Sequence, residues 1–157
     1  MLNPRLMLRG LPYGLNSDFF TMFARFEYAV KKCGFLVDFS VGDVARASRQ
    51  KLAEALGPDF IIDVKQAGGA ATLFDSPPKE LVVGKDNALH FDSIRSKPPE
   101  TTLELLDCAW RFRDNLFHDN MTNASMVFNK KLMRNVMWLI EYILDRRADL
   151  RNAYDER

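Results

Sequence analysis

Apolar residues recur at steps of three and four in several stretches of this chain, and Pro and Gly residues separate those stretches. From Asp18 to about Cys33 the positions Phe19, Met22, Phe23, Phe26, Ala29 and Val30 repeat at helical spacing. Asn16 or Ser17 stands where a cap belongs, and Gly34 suits the stop. The same pattern predicts a second helix over Asp43 to Leu56, closed by Gly57-Pro58. A third segment, with Pro58 in its first turn, runs to about Gln66. Phe35 to Val41 is short and has no clear period. Gly68-Gly69 opens a stretch that reads as irregular and ends at Pro77-Pro78. Glu80 to Val83 and Ala88 to Phe91 are short extended runs around Gly84-Lys85-Asp86-Asn87, which predicts a surface hairpin with a four-residue turn at about 79–92.

Beyond Pro98-Pro99 the pattern predicts two long helices. One runs from Glu100 or Thr101 to Phe117. The other starts near Asn123 or Ser125 and continues through Met133, Val136, Met137, Ile140, Ile143 and Leu144. A charged helical tail at about 145–157 is expected to fray or extend into solvent, and the first ten residues read as a leader. Together these elements predict a single all-α domain over 1–157, a helical bundle carrying a small accessory β-hairpin.

At 157 residues, 47% of them hydrophobic, the chain is large enough for a core without disulfides or a structural metal. Cys33 and Cys108 are far apart in apolar stretches, which reads as two reduced, buried thiols and a cytoplasmic protein. The N-terminus does not read as a signal peptide, and no run of about eighteen apolar residues predicts a membrane span. Lys and Arg number 22 against 21 Asp and Glu, a formal charge of +1. That balance excludes a nonspecific coat of nucleic acid but leaves room for a small RNA-cutting site. Two separated histidines and two isolated cysteines make no zinc set, Gly68-Gly69 lacks the continuation of a phosphate loop, and no cofactor is expected. His90 reads as a surface strand residue, and Trp110 and Trp138 as core.

One run carries candidate chemistry: Arg113-Asp114-Asn115-Leu116-Phe117-His118. The apolar line Leu103, Leu106, Trp110, Phe117 advances by alternating threes and fours, and Arg113 occupies the position in it where a hydrophobe belongs. A second line, Leu105, Ala109, Phe112 and Leu116, widens the packed face. An arginine on such a seam requires anionic or hydrogen-bonding partners. Arg113 and His118 are five positions apart and converge only if the helix ends near Phe117 and the chain bends, which Asp119-Asn120 favours. If the helix continues instead, Arg111 and His118 share a face with Asp114 one turn before His118, and Arg111 is the competing partner. A purely structural reading also fits these residues. In it Asn115 caps or bridges backbone, and Asp114 pairs with Arg111 or His118.

The string RFRDNLFHD, preceded by an amphipathic helix and followed by a long one, resembles the R-x4-6-H signature of the HEPN superfamily. It is closer still to the plasmid and bacterial HEPN-like branch whose motif reads RNNLFH. The stretch FFTMFARFEYAVKKCGF resembles that branch's first helix, and the hairpin and Pro-Pro lead-in fit its layout. By position, Arg113 and His118 match the motif pair, Asp114 the polar residue after the arginine, and Asn115 the Asn of the RNNLFH form. Glu27 matches an acidic position that approaches the motif in such proteins, although it could equally pair with Lys31 along its own helix. Asp119 stands where the branch has glycine, and either orients His118 or repels phosphate.

The resemblance implies a HEPN-like bundle and a metal-independent endoribonuclease. In that chemistry the ribose 2′-OH attacks, His118 moves protons, Arg113 carries the phosphate charge, and a 2′,3′-cyclic phosphate and a 5′-hydroxyl result. It also implies a homodimer with two motifs facing one cleft, and a toxin or defence role with an antitoxin or nucleotidyltransferase-like partner. The alternative it leaves open is a non-catalytic HEPN-like dimer acting as a protein-interaction or RNA-binding module.

Overall fold

A computed structural model of the chain describes residues 11–92, 96–116 and 123–156. Phe117, His118 and Asp119, and the leader over 1–10, lie outside the described residues. Among the described residues the backbone forms seven helices and one two-stranded antiparallel sheet. The chain is therefore mostly helical with a small hairpin.

The first helix, α1 (Tyr13–Lys32), starts more than a turn ahead of the expected Asp18. Pro12 stands at the cap position, where a missing N–H costs nothing. Asn16 and Ser17 lie inside the helix instead of capping it; Asn16 is buried and its Nδ2 donates to the Pro12 carbonyl at 3.0 Å. Gly34 does end the helix, at φ +85, a conformation that resists any side chain.

The second helix, α2 (Arg49–Leu56), is half the expected length. Its expected first half is drawn into a different hydrogen-bond network. Val37 N–H donates to the Arg46 carbonyl at 2.9 Å, Ser48 N–H to the Phe35 carbonyl at 2.8 Å, and Asp43 closes a turn by accepting from Ser40 N–H at 2.8 Å. With those groups committed, Ser48 becomes the cap, accepting from Lys51 N–H at 3.2 Å. The third helix, α3 (Phe60–Ala67), follows the expected segment.

The stretch after Gly68-Gly69 is not irregular throughout. It contains a short helix, α4 (Ala71–Asp75), with Leu73 fully buried and Thr72 N–H donating to Asn135 Oδ1 at 2.7 Å. Gly69 is required there because a Cβ would stand 2.1 Å from Trp138 Cε2. Strands β1 (Glu80–Val83) and β2 (Leu89–Asp92) pair in the register Glu80↔Asp92 to Val83↔Leu89. That register leaves Ala88 in the loop, one residue more than the expected four-residue turn, with Asn87 at φ 56.

The core is built by α5 (Thr102–Asn115) and α6 (Asn123–Arg146) with α1. Phe19 meets Phe112, and Phe23 and Phe26 meet Trp110, with ring centroids 5.0–5.8 Å apart. Leu132, Met133, Val136, Leu139, Ile140 and Ile143 of α6 complete it. Each such side chain contributes ~1.5–3 kcal/mol by leaving water. Cys108 is buried here, and burial pushes its thiol up to about 11, whereas Cys33 is only half-buried, contrary to expectation.

The charged tail does not extend into solvent. It forms α7 (Ala148–Asp155), which folds back on α1 with Leu150 and Ala153 buried. The periodicity of its charges hides this short apolar edge. Arg25 of α1 caps its end, donating to the carbonyls of Tyr154 and Glu156, and Lys32 pairs with Glu156. No helix among the described residues is long and apolar enough to cross a membrane.

Candidate functional site

The motif helix begins with a reciprocal cap. Thr101 Oγ1 accepts from Glu104 N–H at 3.2 Å, and Glu104 Oε2 accepts from Thr101 N–H at 3.3 Å. From there Leu105, Ala109, Phe112 and Leu116 of one apolar line are all buried; of the other, Leu106 and Trp110 are buried, Leu103 is partly buried, and Phe117 lies outside the described residues. Helix α5 stops at Asn115, earlier than the expected Phe117 and three positions before His118. The alternative in which one helix aligns Arg111 with His118 turns on residues outside the described ones.

Arg113 is the point where the seam reaches the surface, with its side chain 25% exposed. Its guanidinium lies 4.8 Å above the ring of Phe23, which is itself buried. Nη1 donates to Glu27 Oε2 at 2.6 Å. Nε donates to Asp114 Oδ1 at 2.9 Å, and Nη2 lies 2.9 Å from the same oxygen. Glu27 also lies 3.7 Å from Lys31 Nζ, so the two partners that its position in the sequence leaves open are both engaged. The four charges of Lys31, Glu27, Arg113 and Asp114 cancel. The two carboxylates differ in kind: the Glu27 side chain is 24% exposed and that of Asp114 58%. A pair as exposed as the second is worth ~0–1 kcal/mol, so Asp114 is the partner that an incoming anion displaces most easily.

Arg111 turns away from this group. Its Nη2 donates to Glu80 Oε1 at 3.1 Å and its Nη1 to the Pro78 carbonyl at 3.3 Å, which ties the hairpin to α5. Asn115 does likewise, its Nδ2 donating to the Lys79 carbonyl at 3.2 Å, so it bridges backbone. Next to these contacts is a polar cleft of about 350 Å³ in which Arg49 pairs with Asp107 and Arg111 with Glu80. Of the sequence-derived site residues, the fold brings Arg113, Asp114 and Glu27 together and sends Arg111 and Asn115 to the hairpin. His118 and Asp119 lie outside the described residues.

A cavity of about 450 Å³ opens on another side of the α5 end. Phe112, Asn115 and Leu116 of the motif helix line it together with Phe91 of β2 and Phe128 and Asn129 of α6. Sequence reading does not single out Phe91, Phe128 or Asn129, because they belong to two elements far from the motif helix in the chain and share no spacing with it. Glu80 is missed as the partner of Arg111 for the same reason.

Comparison with family models, with curated proteins and with solved structures finds no match to this chain.

Proposed function

We propose that this chain is a HEPN-like, metal-independent endoribonuclease that works as a homodimer. The observation that carries the reading is the setting of Arg113: a cation on the apolar seam in the last turn of α5, oriented by Glu27 and by the face of Phe23, on a helix that stops ahead of His118. A guanidinium fixed in this way is preorganised to meet a phosphate. In the reaction the ribose 2′-OH gives its proton to a histidine acting as base, and its oxygen attacks phosphorus. The P–O5′ bond breaks, and the 5′ oxygen takes a proton from a second acid, leaving a 2′,3′-cyclic phosphate and a 5′-hydroxyl. One histidine does not serve both transfers in one pass, which is why two copies are part of the proposal. The phosphate takes the place of Asp114 on Nε and Nη2 while Glu27 keeps Nη1. The resemblance adds a toxin or defence role held in check by an antitoxin or nucleotidyltransferase-like partner.

The test is cleavage of single-stranded RNA by the purified chain in EDTA, beside His118→Ala and Arg113→Lys. Each substitution is expected to lower the rate by about 10²-fold or more. DNA is expected to resist, and Asp114→Asn to accelerate cleavage by removing a competitor for Arg113. Activity that needs a divalent ion, or that survives His118→Ala unchanged, overturns the mechanism.

A second reading is favoured by one observation. Every nitrogen of the Arg113 guanidinium already lies within 3 Å of a carboxylate oxygen of the same chain. A group so engaged suits a non-catalytic HEPN-like dimer that binds a protein partner or RNA. In that case Arg113→Ala and His118→Ala alter association, measured by sedimentation, and no RNA is cut by any form.

A further inference from the structure

The cavity at the end of α5 is not used by the phosphate chemistry, yet two of its wall residues, Asn115 and Leu116, belong to the motif run itself. We propose that this cavity is a nucleobase subsite that selects which nucleotide of the RNA lies beside the scissile bond. The inference rests on the ribonuclease reading and extends it to substrate preference.

Three features of the wall point to a flat heteroaromatic ring. The volume, about 450 Å³, falls in the range of ~300–1,000 Å³ typical of small-ligand sites. Phe91 and Phe128 are half-buried, so their rings reach the space, and the buried Phe112 closes its floor. Aromatic faces of this kind stack any base. Among these rings stand two carboxamides. Asn115 spends its Nδ2 on the Lys79 carbonyl and keeps Oδ1 as an acceptor, and Asn129 has no hydrogen-bond partner among the described residues.

The mixture of rings and amides discriminates among ligand classes. An aliphatic ligand would strip water from both amides without replacing its hydrogen bonds, and Lys79, which also lines the cavity, disfavours a cationic one. A nucleobase satisfies both kinds of surface, with faces that stack and an edge that carries adjacent donors and acceptors.

Asn115 follows Arg113 by two positions, about 200° around the helix, so the two side chains serve different sides of the same helix end. A base at Asn115 therefore belongs to a unit flanking the phosphate at Arg113. The cavity acts on specificity, and its residues position the substrate without entering the chemistry.

The test uses the ¹⁵N-labelled full chain carrying His118→Ala, so that nothing is cut. Adenosine, cytidine, guanosine and uridine 5′-monophosphates are titrated separately, with ribose 5-phosphate as the control lacking a base. At least one nucleotide is expected to shift the side-chain amide signals of Asn115 and Asn129, and ribose 5-phosphate to leave them in place. Asn129→Ala, at a half-exposed position, is expected to weaken that binding about 5- to 10-fold. Phe128→Leu, which keeps bulk and removes the ring, is expected to weaken it by a similar factor. Unmoved amides, equal shifts with ribose 5-phosphate, or unchanged affinity in Asn129→Ala overturn the subsite. RNA cleavage by the unmutated chain without base binding removes the subsite alone. Base binding without cleavage removes the ribonuclease reading and leaves the cavity as a nucleotide site.

Discussion

Removing the carboxylate that orients Arg113 should have a measurable and calculable cost. The perturbation is the cycle Glu27→Gln, Arg113→Gln and the double variant. The two side chains meet at 2.6 Å and are 24% and 25% exposed, so they are neither fully solvated nor dry. Two unit charges at ~4 Å attract by ~1 kcal/mol in bulk water and ~4 kcal/mol at an effective dielectric constant of ~20. Partial desolvation offsets some of the larger figure. Each single variant leaves the remaining group a second partner, Asp114 for Arg113 and Lys31 for Glu27, so no abandoned charge inflates the result. The coupling should be about 1–2 kcal/mol, above the ~0.2–1 kcal/mol of exposed pairs. Read as a melting temperature, that is about 2–8 °C for a domain of this size. Urea unfolding at neutral pH and low salt measures it, with Arg151 and Asp145, whose side chains are 40% and 65% exposed, as the surface comparison. A coupling below about 0.5 kcal/mol, or one that disappears in salt as fully as that of the comparison pair, refutes the claim that Glu27 fixes Arg113.

Three further outcomes follow from the packing. Gly69→Ala places a methyl 2.1 Å from Trp138 Cε2 and should cost about 1–3 kcal/mol with a change in tryptophan emission; unchanged stability in denaturant would contradict the contact. Leu150→Ala should cost about 2–4 kcal/mol, because α7 is docked on α1, whereas a tail in solvent would lose almost nothing. Cys108, with its thiol pushed up to about 11 by burial from an ordinary 9.0, should resist alkylation in the folded chain. Because the folded form holds that proton longer than the unfolded one, stability should fall as pH rises from about 9 to 11. Cys108→Ala should flatten that part of the curve in pH-dependent unfolding.

The candidate site was legible in part. An arginine interrupting the line Leu106, Trp110, Phe117 announces a charge on a packed face, and its pairing follows from the cost of leaving it alone. Its partner was not fixed by spacing. Glu27 lies 86 positions away and had an equally good local choice in Lys31, and only the packing of α1 against the motif helix joins it to Arg113. Arg111 shows the same limit from the other side. Local spacing offered Asp114, but the hairpin supplies Glu80 and the Pro78 carbonyl.

The sequence by itself determined which residues form helices wherever periodicity was long and its ends were marked. The reciprocal cap at Thr101 and Glu104, the stop at Gly34 and the apolar face of α6 all depend on neighbours within a turn, where local geometry is decisive. Only the tertiary structure decided the folding back of α7, the pairing of Arg113 with Glu27 and of Arg111 with Glu80, and the cavity beside Asn115. Those features join residues far apart in the chain, and contacts of that kind leave no period in the sequence from which they are made.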